Sequence, residues 1–263
     1  MACRCLKLFP AVISVLLILL MLGVSSLSAF AQDAESSTDS AGDAVLESDE
    51  DFLWDDEEED VVVADPLEPF NRGMFWVNDK LYFYLLKPVA RAYRVVPEPA
   101  RTSVGRAFSN LGAPVRFLNA TLQLKFKTAG TELGRFVVNS TVGLLGLFDP
   151  ANKMGLKKQD EDFGQTLGHY GAGQGFYLVL PVLGPSSLRD GVGRVVDTFA
   201  DPISSPYYVK LKQEEQIGLK VFDAENALSL DKDTYEGIKR DSLDPYLFVR
   251  NAYLQRRAAK VKE

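Results

Sequence analysis

Four Asp-Pro pairs punctuate this chain, at Asp65-Pro66, Asp149-Pro150, Asp201-Pro202 and Asp244-Pro245. Aspartate at an N-cap accepts a hydrogen bond from an otherwise unpaired backbone N–H. Proline at the first helical position lacks an N–H that would have no partner there. The pairs therefore mark expected helix starts, and the sequences that follow them differ, so they are shared punctuation and not an internal repeat. Between them the apolar periodicity is helical. Phe70, Met74, Val77, Leu81 and Tyr84 recur at helical spacing over Phe70–Leu86. Further helices are expected at about 98–111, 114–123, 130–142, 186–199 and 208–228, and from Asp244 to about Lys260. Only Phe176–Leu180 reads as a strand, ending at Pro181.

The chain has three compositional parts. Arg4 and Lys7 precede the apolar run Ala11–Val24, and Ala29-Phe30-Ala31 follows as an A-x-A cleavage pattern, so residues 1–31 read as a signal peptide for export. The run is shorter than the ~20 residues a spanning helix needs. Both cysteines, Cys3 and Cys5, precede it, so the rest of the chain offers no disulfide, thiol nucleophile or thiolate ligand, and no lipobox for a lipid anchor. Residues 32–64 form an acidic tail. Its core, residues 33–60, carries fourteen Asp and Glu and no Lys or Arg, a composition expected to stay disordered. The body from residue 65 onward is expected to be a single domain. From Val61 on, twenty-seven Lys and Arg face twenty-two Asp and Glu, although the whole chain is at −7. A mildly basic body suits anionic membrane surfaces or acidic partners and gives no sign of nucleic acid binding.

Two regions stand out for chemistry. Around the first helix, Phe75, Trp76, Tyr82 and Phe83 widen the apolar stripe nearly all round, leaving one narrow wet side at Arg72 and Asn78-Asp79-Lys80. Such a helix is deeply buried or touches lipid. Core packing is the default expectation, while the aromatic density suits a membrane–water boundary. The uncharged segment Phe136–Phe148 is too short to span a bilayer. The stretch Phe163–Asp190 holds the single histidine, His169, and six glycines. Ser186, Ser187 and Asp190 lie within twenty-one residues of His169, but no G-x-S-x-G is present, so a structural role for His169 is favoured over a hydrolytic one. One histidine makes no His-rich metal site, and no dinucleotide fingerprint opens a helix, so neither metal nor cofactor is expected. Asn71, Arg72 and Arg189 could each meet a charged ligand or fix a helix start.

Seven blocks in order resemble the MlaA (VacJ) family of phospholipid-transport proteins of the Gram-negative outer membrane. They are Asp65-Pro66-Leu67-Glu68-Pro69-Phe70-Asn71-Arg72-Gly73-Met74-Phe75, Lys87–Ala90, Pro97–Arg101, Arg135–Gly143, Phe163–Gly171, Leu188-Arg189-Asp190, and Asp244-Pro245-Tyr246 with Arg250, Ala252 and Tyr253. The resemblance implies a mainly α, ring-like helical domain with a central amphipathic channel and little β structure, lying in the inner leaflet. It implies non-enzymatic removal of mislocalised phospholipid from the outer leaflet, passage to a soluble periplasmic carrier, and a trimeric outer-membrane porin as neighbour. A scaffold that binds the porin without moving lipid is the alternative. Family members carry a glycine-richer turn where this chain has Gly143-Leu144-Leu145-Gly146, the expected lipid-path or gating element. Phe75, Trp76, Tyr82 and Phe83 are the expected membrane contacts.

Overall fold

A computed structural model describes residues 65–263 except 206 and 208. The expected signal peptide and acidic tail lie outside the described residues. The elements are α1 (Glu68–Leu81), a π-helical turn (Tyr82–Leu86), α2 (Lys87–Tyr93), α3 (Glu98–Leu111), α4 (Ala113–Leu122), α5 (Phe126–Thr141) and α6 (Pro150–Lys153). They continue through α7 (Phe163–His169), β1 (Tyr177–Leu180), β2 (Gly184–Ser187), α8 (Leu188–Ala200), α9 (Gln213–Leu230), α10 (Thr234–Asp241) and α11 (Pro245–Lys262).

Two of the four Asp-Pro pairs act as helix starts. Asp149 accepts the Asn152 N–H to cap α6, and Asp244 accepts those of Tyr246 and Leu247 to cap α11. The other two serve differently. Asp65 precedes a turn, and its carboxylate is taken by Asn71, Tyr246 and Arg250. Asp201 ends α8 and closes a tight turn by accepting from Ile203 N and Ser204 Oγ. Two further caps lie where no proline marks them: Asp162 on α7 and Ser187 on α8.

The glycine-rich stretch Phe163–Asp190, in which only Phe176–Leu180 reads as a strand, also contains α7 and a second strand. β2 pairs antiparallel with β1, Tyr177 opposite Ser187 and Leu180 opposite Gly184. The free edge of β1 is taken by side chains of α1. Asn71 accepts from Val179 N at 2.8 Å and donates to the Tyr177 carbonyl at 3.1 Å. Asn78, two turns along, accepts from Val182 N and donates to the Leu180 carbonyl. Two amides on one helix face thus complete the strand's hydrogen bonding, because buried backbone groups need partners.

The chain closes on itself. α9 packs against α2 and α3, α4 against α5, α7 against α8, and α11 against α7 and β2. The start of α1 meets the start of α11: Arg72 bridges Glu68 and Asp244 and lies over the Tyr246 ring at 4.6 Å. The apolar core is one small cluster at this closure, of Tyr177, Val179, Tyr246 and Leu254, with Met74 and Phe75 packed against it. α7 and α8 approach closely because Gly164 and Gly193 meet without side chains, and neither position has room for a Cβ. No helix among the described residues is long and apolar enough to cross a membrane.

Candidate functional site

Three helices, α1, α5 and α8, are inverted relative to those of a water-soluble protein. α5 buries Ala129, Glu132, Arg135 and Asn139, and exposes Phe126, Leu133 and Val137. α8 buries Arg189, Asp190 and Gly193, and exposes Leu188, Val192, Val195, Val196 and Phe199. α1 buries Asn71 and Asp79 and exposes Phe70, Trp76 and Val77. Core packing, the default expectation for this stripe, holds for Met74 and Phe75 and fails for Phe70, Trp76, Val77 and Tyr84, which are exposed. Periodicity shows that a helix has two faces; it does not say which medium each one meets. Contiguous exposed apolar faces of this kind mark contact with lipid or protein.

Inside the ring is a cavity of about 1000 Å³. Its wall is amphipathic. Phe75, Leu81 and Leu86 from the first helical stretch, Phe108 from α3 and Val115 from α4 supply apolar surface. Along α11 the wall changes from Val249 and Tyr253 to Arg256, Arg257 and Lys260, over about 16 Å at ~1.5 Å per residue. α8 adds Asp190, Arg194, Asp197 and Asp201, all on one face by their spacing.

Most buried charges here are paired, as burial requires, while Arg194 reaches only the Pro185 carbonyl. Arg257 donates to both Asp162 oxygens at 2.6 and 2.9 Å and to Asp190 at 2.8 Å, and Tyr253 donates to Asp190. Burial works to raise both carboxyls, yet Arg257 with its hydrogen bonds holds them below the usual carboxylate range. Glu132 is 0 % exposed and accepts from Arg116 Nε at 2.7 Å and from Gln159 N at 2.8 Å. Burial pushes Asp197 up to about 6, although Phe163 N and Asn119 donate to it. Asp223, on the cavity wall, is also pushed up to about 6 by burial against the opposing pull of Lys220. A carboxyl whose pKa is raised in the folded state stabilises the fold below its unfolded value near 3.9, and that contribution is lost as pH rises through about 6. Asp223→Asn is therefore expected to raise the unfolding midpoint by a few degrees at pH 8 and by nothing measurable at pH 4, read by thermal unfolding in detergent.

The residues singled out from sequence fall in different places. Gly143, Leu144, Leu145 and Gly146 form the turn after α5 and do not line the cavity. Leu144 and Leu145 are left-handed at φ 51° and 61°, and Leu145 is 76 % exposed. Gly146, φ 94°, lies so close on Asn110 that no side chain fits there. Asn71 and Arg72 are absorbed by strand docking and ring closure. Arg189 is buried against Asp190 and the Ala172 carbonyl. His169 is exposed at the end of α7, its ring edge-on to Tyr170. Ser187 caps α8 and Asp190 belongs to Arg257, so no Ser-His-Asp relay is assembled. Of the four aromatics expected at the membrane, Trp76 is 61 % exposed. Tyr82 is buried with its hydroxyl on Glu236, and Phe75 packs inward against Tyr246, so these two are corrected to interior residues. Phe83 is half-buried against Tyr82 and Tyr235. Arg194, Asp197 and Asp223 went unnoticed in the sequence, and Arg257 reads there only as a cation favoured near the C-terminal end of the last helix. The three- and four-residue spacing of Asp190, Arg194, Asp197 and Asp201 opposite Val192, Val195 and Phe199 was the available signal.

Residues 63–260 match the family described as MlaA lipoprotein. The chain is 38 % identical over 199 residues to the intermembrane phospholipid transport system lipoprotein MlaA of Escherichia coli, covering 73 % of this chain and 76 % of that one. It is 31 % identical over 208 residues to the protein of the same name in Haemophilus influenzae, covering 76 % and 80 %. An uncharacterized protein of Rickettsia bellii is 35 % identical over 204 residues, covering 76 % and 78 %. A solved structure reported as the structural basis for maintenance of bacterial outer membrane lipid asymmetry superposes with a TM-score of 0.64 at 38 % identity, covering 75 % of this chain and 99 % of that chain. The ring of helices, its charged interior and the extent of the match together establish that the chain belongs to the MlaA lipoprotein family.

Proposed function

We propose that this chain carries phospholipid as part of an intermembrane phospholipid transport system, without making or breaking a covalent bond. The observation that supports this best is the inversion itself: ionised groups inside around a cavity, apolar side chains outside. A headgroup is costly to bring into hydrocarbon, and a charged, hydrogen-bonding interior offsets that cost while apolar walls take the acyl chains. The cavity, at about 1000 Å³, is at the upper end of the ~300–1,000 Å³ range of small-molecule sites, as an amphiphile requires. The apolar exterior, on helices too short or too polar to span, suits a body lying within one leaflet. The phospholipid transport role for which the Escherichia coli and Haemophilus influenzae relatives are named supports the same substrate. On this view the protein sits at the periplasmic face of the outer membrane, beside a porin trimer, and passes strayed outer-leaflet lipid to a soluble periplasmic carrier.

The turn 143–146 is the proposed moving element. Two successive left-handed leucines cost about 1–2 kcal/mol each relative to glycine. Holding leucine there keeps two apolar side chains pointed outward, and Leu145→Asp is expected to slow removal of outer-leaflet phospholipid in cells severalfold. An unchanged rate rejects that role. For the function as a whole, the protein purified in detergent and extracted is expected to release stoichiometric phospholipid that exchanges with added lipid. Finding neither bound nor exchangeable phospholipid would leave the scaffold alternative, in which the apolar exterior only binds the porin.

A further inference from the structure

A second hollow of about 240 Å³ opens where α3, α4, α5 and residues 149–158 meet. Arg106, Ser109, Arg116 and Lys158 line both this hollow and the central cavity, so the two share a wall. Its lining holds four cations, Arg106, Arg116, Arg135 and Lys158, against one carboxylate, Asp149.

The neighbouring acids are already engaged. Asp149 accepts from Arg135 Nη2 at 3.0 Å and from the Asn139 amide at 2.9 Å. Glu132 takes Arg116 through Nε only, and Asp160 pairs with Lys158 at 3.0 Å and faces Lys260 at 3.8 Å. Arg135 Nε is buried without a hydrogen bond, 3.9 Å from Glu132 Oε1, and its Nη1 is taken by the Leu156 carbonyl. Arg106 has no carboxylate partner among the described residues. The hollow thus keeps a positive surplus and offers a planar guanidinium fork, the group best matched to phosphate oxygens, beside a serine hydroxyl.

The neighbouring geometry indicates what the anion belongs to. On α3, Phe108 and Leu111 face the large cavity, while Arg106 and Ser109 serve both spaces. The hollow is too small for acyl chains and shares Arg106, Ser109, Arg116 and Lys158 with a space that is partly apolar. Asn110, on its wall, is the residue on which Gly146 rests, so the hollow adjoins the turn after α5.

We propose that this hollow is a phosphate site, taking the phosphodiester of a lipid headgroup while the acyl chains remain in the cavity. The assignment rests on the transport function above and adds where the headgroup is held.

The test uses the full exported chain in detergent and three probes: dihexanoyl-phosphatidylglycerol, dihexanoylglycerol with the same tails and no phosphate, and inorganic phosphate. Arg106→Gln is expected to weaken binding of the phospholipid about tenfold or more and to leave the diacylglycerol unchanged, with Arg106→Lys intermediate. Arg106 contacts no protein carboxylate, so the unfolding midpoint is expected to hold. Ser109→Ala is the second variant, with a smaller loss confined to the phospholipid. Equal weakening of both amphiphiles, or no change in either, overturns the site. Inorganic phosphate binding that disappears in Arg106→Gln while phospholipid binding is untouched reassigns the hollow to free phosphate and overturns the headgroup assignment. Wild-type protein that binds neither amphiphile overturns the transport function, and the headgroup assignment with it.

Discussion

Replacing Arg257 with methionine is expected to destabilise the fold by about 3–5 kcal/mol, because removing one partner of a buried ion pair leaves uncompensated charge. Arg257 is the common cation of Asp162 and Asp190, which reach it from the start of α7 and the start of α8. Asp162 also caps α7 through Gln165 N at 2.8 Å, and Asp190 holds Tyr253 and Arg189. Without the guanidinium two carboxylates face each other at the crossing of three helices. For a domain of this size the loss corresponds to roughly 10 °C in unfolding midpoint. The pH dependence identifies the cause. In the wild type these carboxyls are held below their ordinary values, so their stabilisation is present above about pH 4 and lost as pH falls further. In the variant they are no longer held down, so its deficit is expected to be greatest at pH 7 and to shrink towards pH 4. Adding Asp162→Asn and Asp190→Asn to the variant is expected to recover part of the loss. A deficit below 1 kcal/mol at pH 7 contradicts the account of this cluster.

The second large effect separates water from lipid as the medium outside the ring. Val195→Asp with Phe199→Asp places two carboxylates one turn apart on the exposed face of α8. On a wetted surface such changes stay within about 0.5 kcal/mol each. In hydrocarbon an aspartate costs about 2.5–3.5 kcal/mol at the bilayer centre and less towards the interface. The double variant is therefore expected to keep its unfolding midpoint in detergent within 2 °C and to lose at least tenfold in flotation with vesicles of phosphatidylethanolamine and phosphatidylglycerol. Unchanged flotation would show that α8 does not face lipid.

Much of the helical framework is legible in the sequence. α3 runs over the same residues, 98–111, that capping and periodicity indicate, and α4, α5 and α11 shift by only a few. These helices carry local signals: a proline in the first turn, a polar cap, a glycine at the joint. What is not legible is orientation. The stripe Phe70–Tyr84 is real, but most of it points outward and Asn71 and Asp79 point in. β2 escapes because Gly184-Pro185-Ser186-Ser187 has none of the branched or aromatic residues that favour strands, and it forms only against β1. α7 escapes because Gly164 and Gly168 depress local helix propensity, while the cap of Asp162 and the contact with Gly193 restore it. The site is the least visible part. Arg257 and Asp162 are ninety-five residues apart, and nothing local in either neighbourhood announces the other.

The transport function requires an amphiphile in the ring's interior as well as around it. The most direct measurement is photo-cross-linking in cells from benzoylphenylalanine placed at Val115 and Leu228 on the cavity wall, at Val195 on the outer face, and at Arg240 on an exposed polar helix. Phospholipid-mass adducts are expected at Val115, Leu228 and Val195 and not at Arg240. Adducts at Val195 alone would mean a protein that merely rests in lipid with an empty centre, and would contradict the account.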